Sequence, residues 1–286
     1  MMIELWVIVT GILVGITCSL VGTFLVLRKM SMIADAISHT VLFGIVMAFI
    51  VTQSLDGVWM LIGAAIAGVS TAFFVQLLQN FGIQEDAAIG VTFTTLFAGG
   101  VLLITLFAGN VHLDVEHILM GEIAFVPWNQ LTILGITMPK AVWMLSLVLL
   151  LNILFLTLFY KEMKLSTFDH VYAISIGIQA VLLHYAFMMI VSLTTVAAFD
   201  SVGAILVVAM LIGPSATAYL ISKSIKQMLF LSMLYGASAA IIGYYIAKIL
   251  NTSISGMMAT IIGVLFALTL CIQKLNHLRK KYSINI

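Results

Sequence analysis

The chain has 286 residues, 63% of them hydrophobic and only 8% charged, with a net charge of +1 and a mean hydropathy of +1.23. That balance excludes a soluble core wrapped in polar surface and predicts an all-α polytopic membrane protein. It also excludes nucleic acid as a partner, since no basic patch is interleaved with aromatic residues.

With about 20 residues needed per crossing, the apolar stretches 5–27, 36–53, 58–79, 88–108, 139–160, 177–197, 202–221, 228–249 and 256–273 predict about nine spans, or eight if two merge. They form a single transmembrane domain over 1–286. The segment Met1-Met2-Ile3-Glu4-Leu5-Trp6 has no basic leader or small-residue cleavage site, so the first stretch is expected to stay as a span. Behind it come Arg28 and Lys29. With Lys161, Lys164, Lys223, Lys226, Lys274, Arg279, Lys280 and Lys281 they fall on every second connection, leaving only Lys140 and Lys248 toward the other face. By the positive-inside rule the N-terminus is expected outside and the C-terminus in the cytoplasm, in the cell membrane.

The second stretch begins with Asp35 and His39, four residues apart. On a helix that spacing stacks both side chains on one face. Ionisable groups inside a membrane are costly, which makes the pair a functional candidate; the plainer alternative is a buried polar pair satisfying neighbouring groups. A carboxylate beside an imidazole suits Mn²⁺, Fe²⁺ or Zn²⁺. Small residues such as Gly11, Gly15 and Gly22 in the first span, and Gly63, Ala67 and Ser70 in the third, indicate close helix packing. Glu85 and Asp86 open the fourth helix, where its dipole favours negative charge.

Two connections are longer than turns. Residues 109–138 are too polar to span, and an extracytoplasmic interfacial segment with a short helix is expected there, anchored by Trp128. Its His112, Asp114, Glu116, His117 and Glu122 are candidates for outer cation attraction or partner docking. Residues 164–177 are expected to form a short cytoplasmic helix, capped by Ser166 or Thr167 and ended by Gly177, with Asp169 and Ala173 on one face as a docking surface. In the sixth stretch His184 is more readily a packing residue than an ion ligand.

Cys18 and Cys271 lie in separate apolar stretches and are too few for a thiolate site. The 17 Met residues are scattered, without the repeats that would point to copper. The sequence contains neither Gly-x-x-x-x-Gly-Lys-Ser/Thr nor His-Glu-x-x-His, so neither nucleotide hydrolysis nor zinc proteolysis is expected of this chain, which is not read as an enzyme.

Several segments in order resemble the permease subunits of ATP-binding-cassette importers for manganese, zinc and iron. They are Val26-Leu27-Arg28-Lys29-Met30-Ser31, Asp35-Ala36-Ile37-Ser38-His39, Glu85-Asp86-Ala87-Ala88-Ile89-Gly90, Leu119-Met120-Gly121-Glu122-Ile123, and Phe168-Asp169 with Ala173 and Gly177. The stretch from Val202-Gly203 to Pro214-Ser215-Ala216-Thr217-Ala218 is also similar to vitamin B12 and siderophore permeases. The resemblance implies a type II ABC importer fold. It implies Asp35 and His39, with His184 as a further candidate, on the path of a transported Mn²⁺, Zn²⁺ or Fe²⁺, and no permanently bound cofactor. Phe168, Asp169, Ala173 and Gly177 are implied in coupling to the ATPase subunits. The other implied partners are an extracytoplasmic metal-binding protein, a second permease copy or paralogue, and membrane lipid. The stretches from Asp114 to Trp128 and from Phe199 to Gly203 look more like the manganese branch than the zinc branch. Phe43 and Ala34 depart from the usual Pro and Gly, which predicts a straighter second helix. The rival reading is a proton- or sodium-coupled secondary carrier, which often shows paired broken helices; no convincing pair is present. A structural scaffold would leave the intramembrane Asp and His unexplained.

Overall fold

Long apolar runs can satisfy their own backbone in lipid only as helices or closed barrels, and here they are helices. The computed structural model describes residues 2–53, 57–107, 123–133 and 136–284. In chain order it contains α1 (Met2–Leu27), α2 (Ser31–Thr52), α3 (Gly57–Asn80), α4 (Glu85–Phe107), a 3₁₀ turn (Ile123–Trp128), strands β1 (Gln130–Ile133) and β2 (Ile136–Pro139), α5 (Lys140–Leu158), α6 (Tyr160–Phe168), α7 (His170–Ser175), α8 (Ala180–Val202), α9 (Ala204–Ile221), α10 (Ile225–Leu250) and α11 (Ile254–Ile284). Among the described residues nine helices are long and apolar enough to cross a membrane, as the hydropathy predicts.

The spans fall into two packed groups. In one, α1 lies against α9 and α10, with α11 behind them; in the other, α2 lies against α3 and α4, and α8 joins the groups through α3, α2 and α5. Without a hydrophobic drive between helices in lipid, small residues and interhelical hydrogen bonds set these contacts. A Cβ at Gly15 would sit 2.7 Å from the Gly236 carbonyl, and one at Gly44 would run into the carbonyl of Gly63. Thr23 and Ser232 hydroxyls meet at 2.9 Å, and the Ser215 hydroxyl donates to the Ser19 carbonyl at 3.1 Å. Asn152 donates to Thr194 at 2.9 Å, and Thr71 donates to Thr40 at 2.8 Å.

The helix α2 runs unbroken through Phe43 and Gly44, in keeping with the absent Pro. Several helix ends shift by a few residues from the predicted stretches, and two regions bear on the site. Stretches 177–197 and 202–221 are Ala180–Val202 and Ala204–Ile221, because Gly203 at φ +81° breaks the chain between them. In the connection before α5, the described residues form the 3₁₀ turn and an antiparallel hairpin, not anticipated from the sequence, that pairs Gln130 with Pro139. Ile123 and Val126 are buried, whereas Trp128 is 75% exposed, the disposition expected of an interfacial anchor.

Candidate functional site

The geometry of α2 isolates the pair singled out above. Its flanks Ile33, Ala34, Ala36, Ile37, Ser38, Thr40, Val41 and Leu42 are buried against the rest of the chain. Met32, Asp35, His39, Phe43, Met47 and Val51 instead form one stripe, one helical turn apart, that the chain leaves partly or fully uncovered. His39 Nε2 stands 3.8 Å from Asp35 Oδ1, with side chains 33% and 47% exposed, respectively. The two groups are close enough to share a cation, yet are not hydrogen-bonded to each other. At 1.5 Å per residue, Asp35 lies about 6 Å and His39 about 12 Å along the helix from Ser31.

Two aromatic residues of α4, not anticipated from the sequence, hold the imidazole. The Phe93 ring lies tilted 5.6 Å from that of His39, and Phe97 meets it edge-on at 6.0 Å. They are four residues apart and share a face of α4; that spacing is legible in the sequence, but the helix it faces is not. The close α2–α4 approach needs Gly100, where a Cβ would stand 3.1 Å from the Phe43 backbone. Among the described residues no three His, Cys, Asp or Glu side chains converge on one point. Asp35 and His39 are the two ligand-type side chains at this location.

His184 is not brought to that pair. It is the fifth residue of α8, nearer the helix start than the sequence boundaries imply. It lines a cavity of about 560 Å³ with Arg28, Gln76, Asn80 and Glu85, at the end of the bundle where α1 and α3 finish and α4 begins. Glu85 and Asp86 occupy the first turn of α4, as expected for the helix dipole.

Arg28 is the organising charge at that end. Its Nε donates to Thr167 Oγ1 at 3.1 Å and one terminal nitrogen donates to Ser166 Oγ at 2.7 Å, while the guanidinium sits 5.3 Å above the Phe187 ring. Among the described residues it forms no ion pair. Burial lowers its pKa to about 10, so it stays charged at neutral pH. Arg28 thus ties the end of α1 to α6 and, through Phe187, to α8.

The expected docking helix is two pieces. Ser166 and Thr167 do not cap it: their hydroxyls turn back to the Met163 carbonyl and accept from Arg28. Asp169 is the cap, accepting from the Tyr172 amide at 2.8 Å, so α6 stops there and α7 begins. At the other end Gly177 at φ +88° closes a Schellman turn, with Gly177 N–H to the Ile174 carbonyl and Ile178 N–H to the Ala173 carbonyl. The spacing predicts Ala173 on an outward face, but it is fully buried, so its small side chain serves packing beneath α7. The outward face is apolar instead, with Phe168, Val171, Tyr172, Ile174 and Ile176 all exposed. His112, Asp114, Glu116, His117 and Glu122 lie outside the described residues.

Comparison with known proteins fits this arrangement. The sequence signature of the ABC 3 transport family matches residues 2–273. The chain is 58% identical to the manganese transport system membrane protein MntD of Bacillus subtilis, over 93% of this chain and 91% of that protein. It is 43% identical to the zinc transport system membrane protein TroD of Treponema pallidum, over 92% and 72%, respectively. A chain of the solved structure of PsaBC from Streptococcus pneumoniae in complex with Fab superposes with a TM-score of 0.77 at 33% identity, covering 92% of this chain and 89% of that one.

Proposed function

We infer that this chain, which belongs to the ABC 3 transport family, is the membrane permease subunit of an ATP-driven importer of divalent transition-metal ions. The observation that carries the reading is the uncovered stripe of α2, with one carboxylate and one imidazole 3.8 Å apart on an otherwise apolar face. A second permease copy or paralogue laid against that stripe would bring two further ligands across the seam. Such a set can strip part of a cation's hydration shell while binding weakly enough to release it. Hard oxygen with imidazole nitrogen suits Mn²⁺, and also Zn²⁺ and Fe²⁺. The manganese naming of the relative at 58% identity supports Mn²⁺ as preferred cargo.

In this reading the Arg28 end faces the cytoplasm, the N-terminus lies outside and the C-terminus inside. The 109–138 segment receives an extracytoplasmic metal-binding protein, with Asp114, Glu116, His117 and Glu122 as candidate contacts. Separate ATPase subunits dock on the segment 164–177. Phe168 contributes to its exposed face, while Asp169, Ala173 and Gly177 shape α7 from its cap, its packed side and its closing turn. ATP-driven closure pulls α6 and α7, and Arg28 passes that displacement to α1 and α8, alternately opening the path at each end. His184, in the inner cavity beside Glu85, would meet the ion only after it has left Asp35 and His39.

Asp35→Asn and His39→Ala test the path, since each removes a ligand-type group from a face that the chain's own helices cover only in part. Metal uptake by cells or vesicles carrying the complex is expected to be lost with expression and subunit assembly unchanged. Near-normal uptake by both variants would take the pair off the path.

A further inference from the structure

At the Arg28 end, two recesses share a wall. The first, about 740 Å³, is lined by Lys164 of α6, Lys223 in the α9–α10 connection and Lys226 of α10, together with Tyr160 and Tyr219. No carboxylate lines it, and among the described residues none of the three lysines forms an ion pair. Among the described residues none of the three ammonium groups makes a hydrogen bond. Ser224 caps α10 by accepting from the Gln227 amide, and the Gln227 side chain accepts from the Lys223 backbone. The second recess, about 380 Å³, is an apolar groove lined by Leu20, Ile153, Leu156, Leu229 and Met233. Tyr160 and Lys226 belong to both linings and join the two.

We propose that the joined recesses hold an anionic phospholipid, its phosphodiester among Lys164, Lys223 and Lys226 and one acyl chain in the groove between α1, α5 and α10. Lysine ammonium groups are compact charges with rotatable donors, suited to phosphate oxygens, and basic pockets between spans on the cytoplasmic side bind lipid head groups. Tyr160, at the start of α6, and Tyr219, in the last turn of α9, stand at span ends, where amphipathic rings collect. Leu20 is seven residues back along α1 from Leu27, so the groove reaches about 10 Å into the span. A free phosphate would leave that groove empty, and a protein partner's acidic segment would not enter it. The lipid would bridge α6, which carries the coupling strain, to α10. This inference uses the cytoplasmic placement of the Arg28 end but not the identity of the cargo.

The purified permease with its ATPase, reconstituted in mixed phosphatidylglycerol and phosphatidylcholine nanodiscs and then extracted, tests this by native mass spectrometry. Retained phosphatidylglycerol is expected to exceed phosphatidylcholine at least tenfold. The double variant Lys223→Gln, Lys226→Gln should lose that preference, whereas Thr157→Trp, which fills the groove from its exposed edge, should lose retention of both lipids. Inorganic phosphate should displace neither. Equal retention of the two lipids, unchanged retention in the variants, or displacement by phosphate would overturn the proposal. So would loss of the ATPase from the lysine variant with lipid retention intact, which would assign the lysines to a protein surface. Each variant's metal uptake, measured in parallel, tests the transport reading separately.

Discussion

Asp35 and His39 were legible from the sequence because their relation is local: four residues on a helix fix the shared face whatever the fold. What holds the imidazole was not legible, since Phe93 and Phe97 come from α4, two spans away in sequence. An aromatic pair contributes about 0.5–1.5 kcal/mol beyond area burial. Phe97→Leu keeps apolar volume but removes the edge-on ring, so the KM for Mn²⁺ uptake is expected to rise roughly twofold to tenfold, with the amount of assembled complex unchanged; an unaltered KM would count against this positioning role. Arg28 is a similar case. Its neighbours Lys29, Lys161 and Lys164 carry the same topological signal, yet only Arg28 is drawn inward, onto Ser166 and Thr167 some 138 and 139 residues away. Arg28→Met should leave hydrolysis by the ATPase running while lowering ions transported per ATP severalfold. Parallel loss of both activities would show a merely structural role.

The connection between α5 and α8 was recognisable as a separate short helical element, but its internal grammar was not. Ser166, Thr167 and Asp169 can each cap a helix. Which one does so depends on Arg28, which engages the two hydroxyls and leaves the carboxylate to the Tyr172 amide. That choice rotates the short helix, burying Ala173 and turning Val171, at 79% exposure, outward. Val171→Asp places a charge on the apolar outward face and should abolish co-purification of the ATPase while the permease remains monodisperse. Ala173→Trp, by contrast, overpacks a buried site at a cost of about 1–3 kcal/mol, and should lower the thermal stability of the permease itself. The account of this element fails if Val171→Asp retains the ATPase or if Ala173→Trp is accommodated without loss of stability. The hairpin before α5 illustrates the complementary limit. Its strands Gln130–Ile133 and Ile136–Pro139 are four residues each, too short for period-two alternation to separate them from an interfacial helix.

Across the whole molecule, the nine candidate spans among the described residues followed from hydropathy, because in lipid every backbone group must be satisfied within its own segment. The packing order did not follow, because interhelical contacts such as Gly15 with Gly236 and Asn152 with Thr194 join positions remote in sequence. Single cysteines in a background lacking Cys18 and the exposed Cys271 check the orientation. Ser224→Cys should react only from the cytoplasm and Thr252→Cys only from outside; labelling of both from one side would refute the alternation. The uncovered stripe of α2 has meaning only if a second permease faces it and an ATPase supplies the work. Uptake of Mn²⁺ into proteoliposomes containing the permease, its ATPase and the extracytoplasmic binding protein tests that claim most directly, with all ion gradients collapsed. Uptake is predicted to require ATP on the Arg28 side and to vanish in the Asp35→Asn protein. Uptake driven by a proton or sodium gradient without ATP would contradict it.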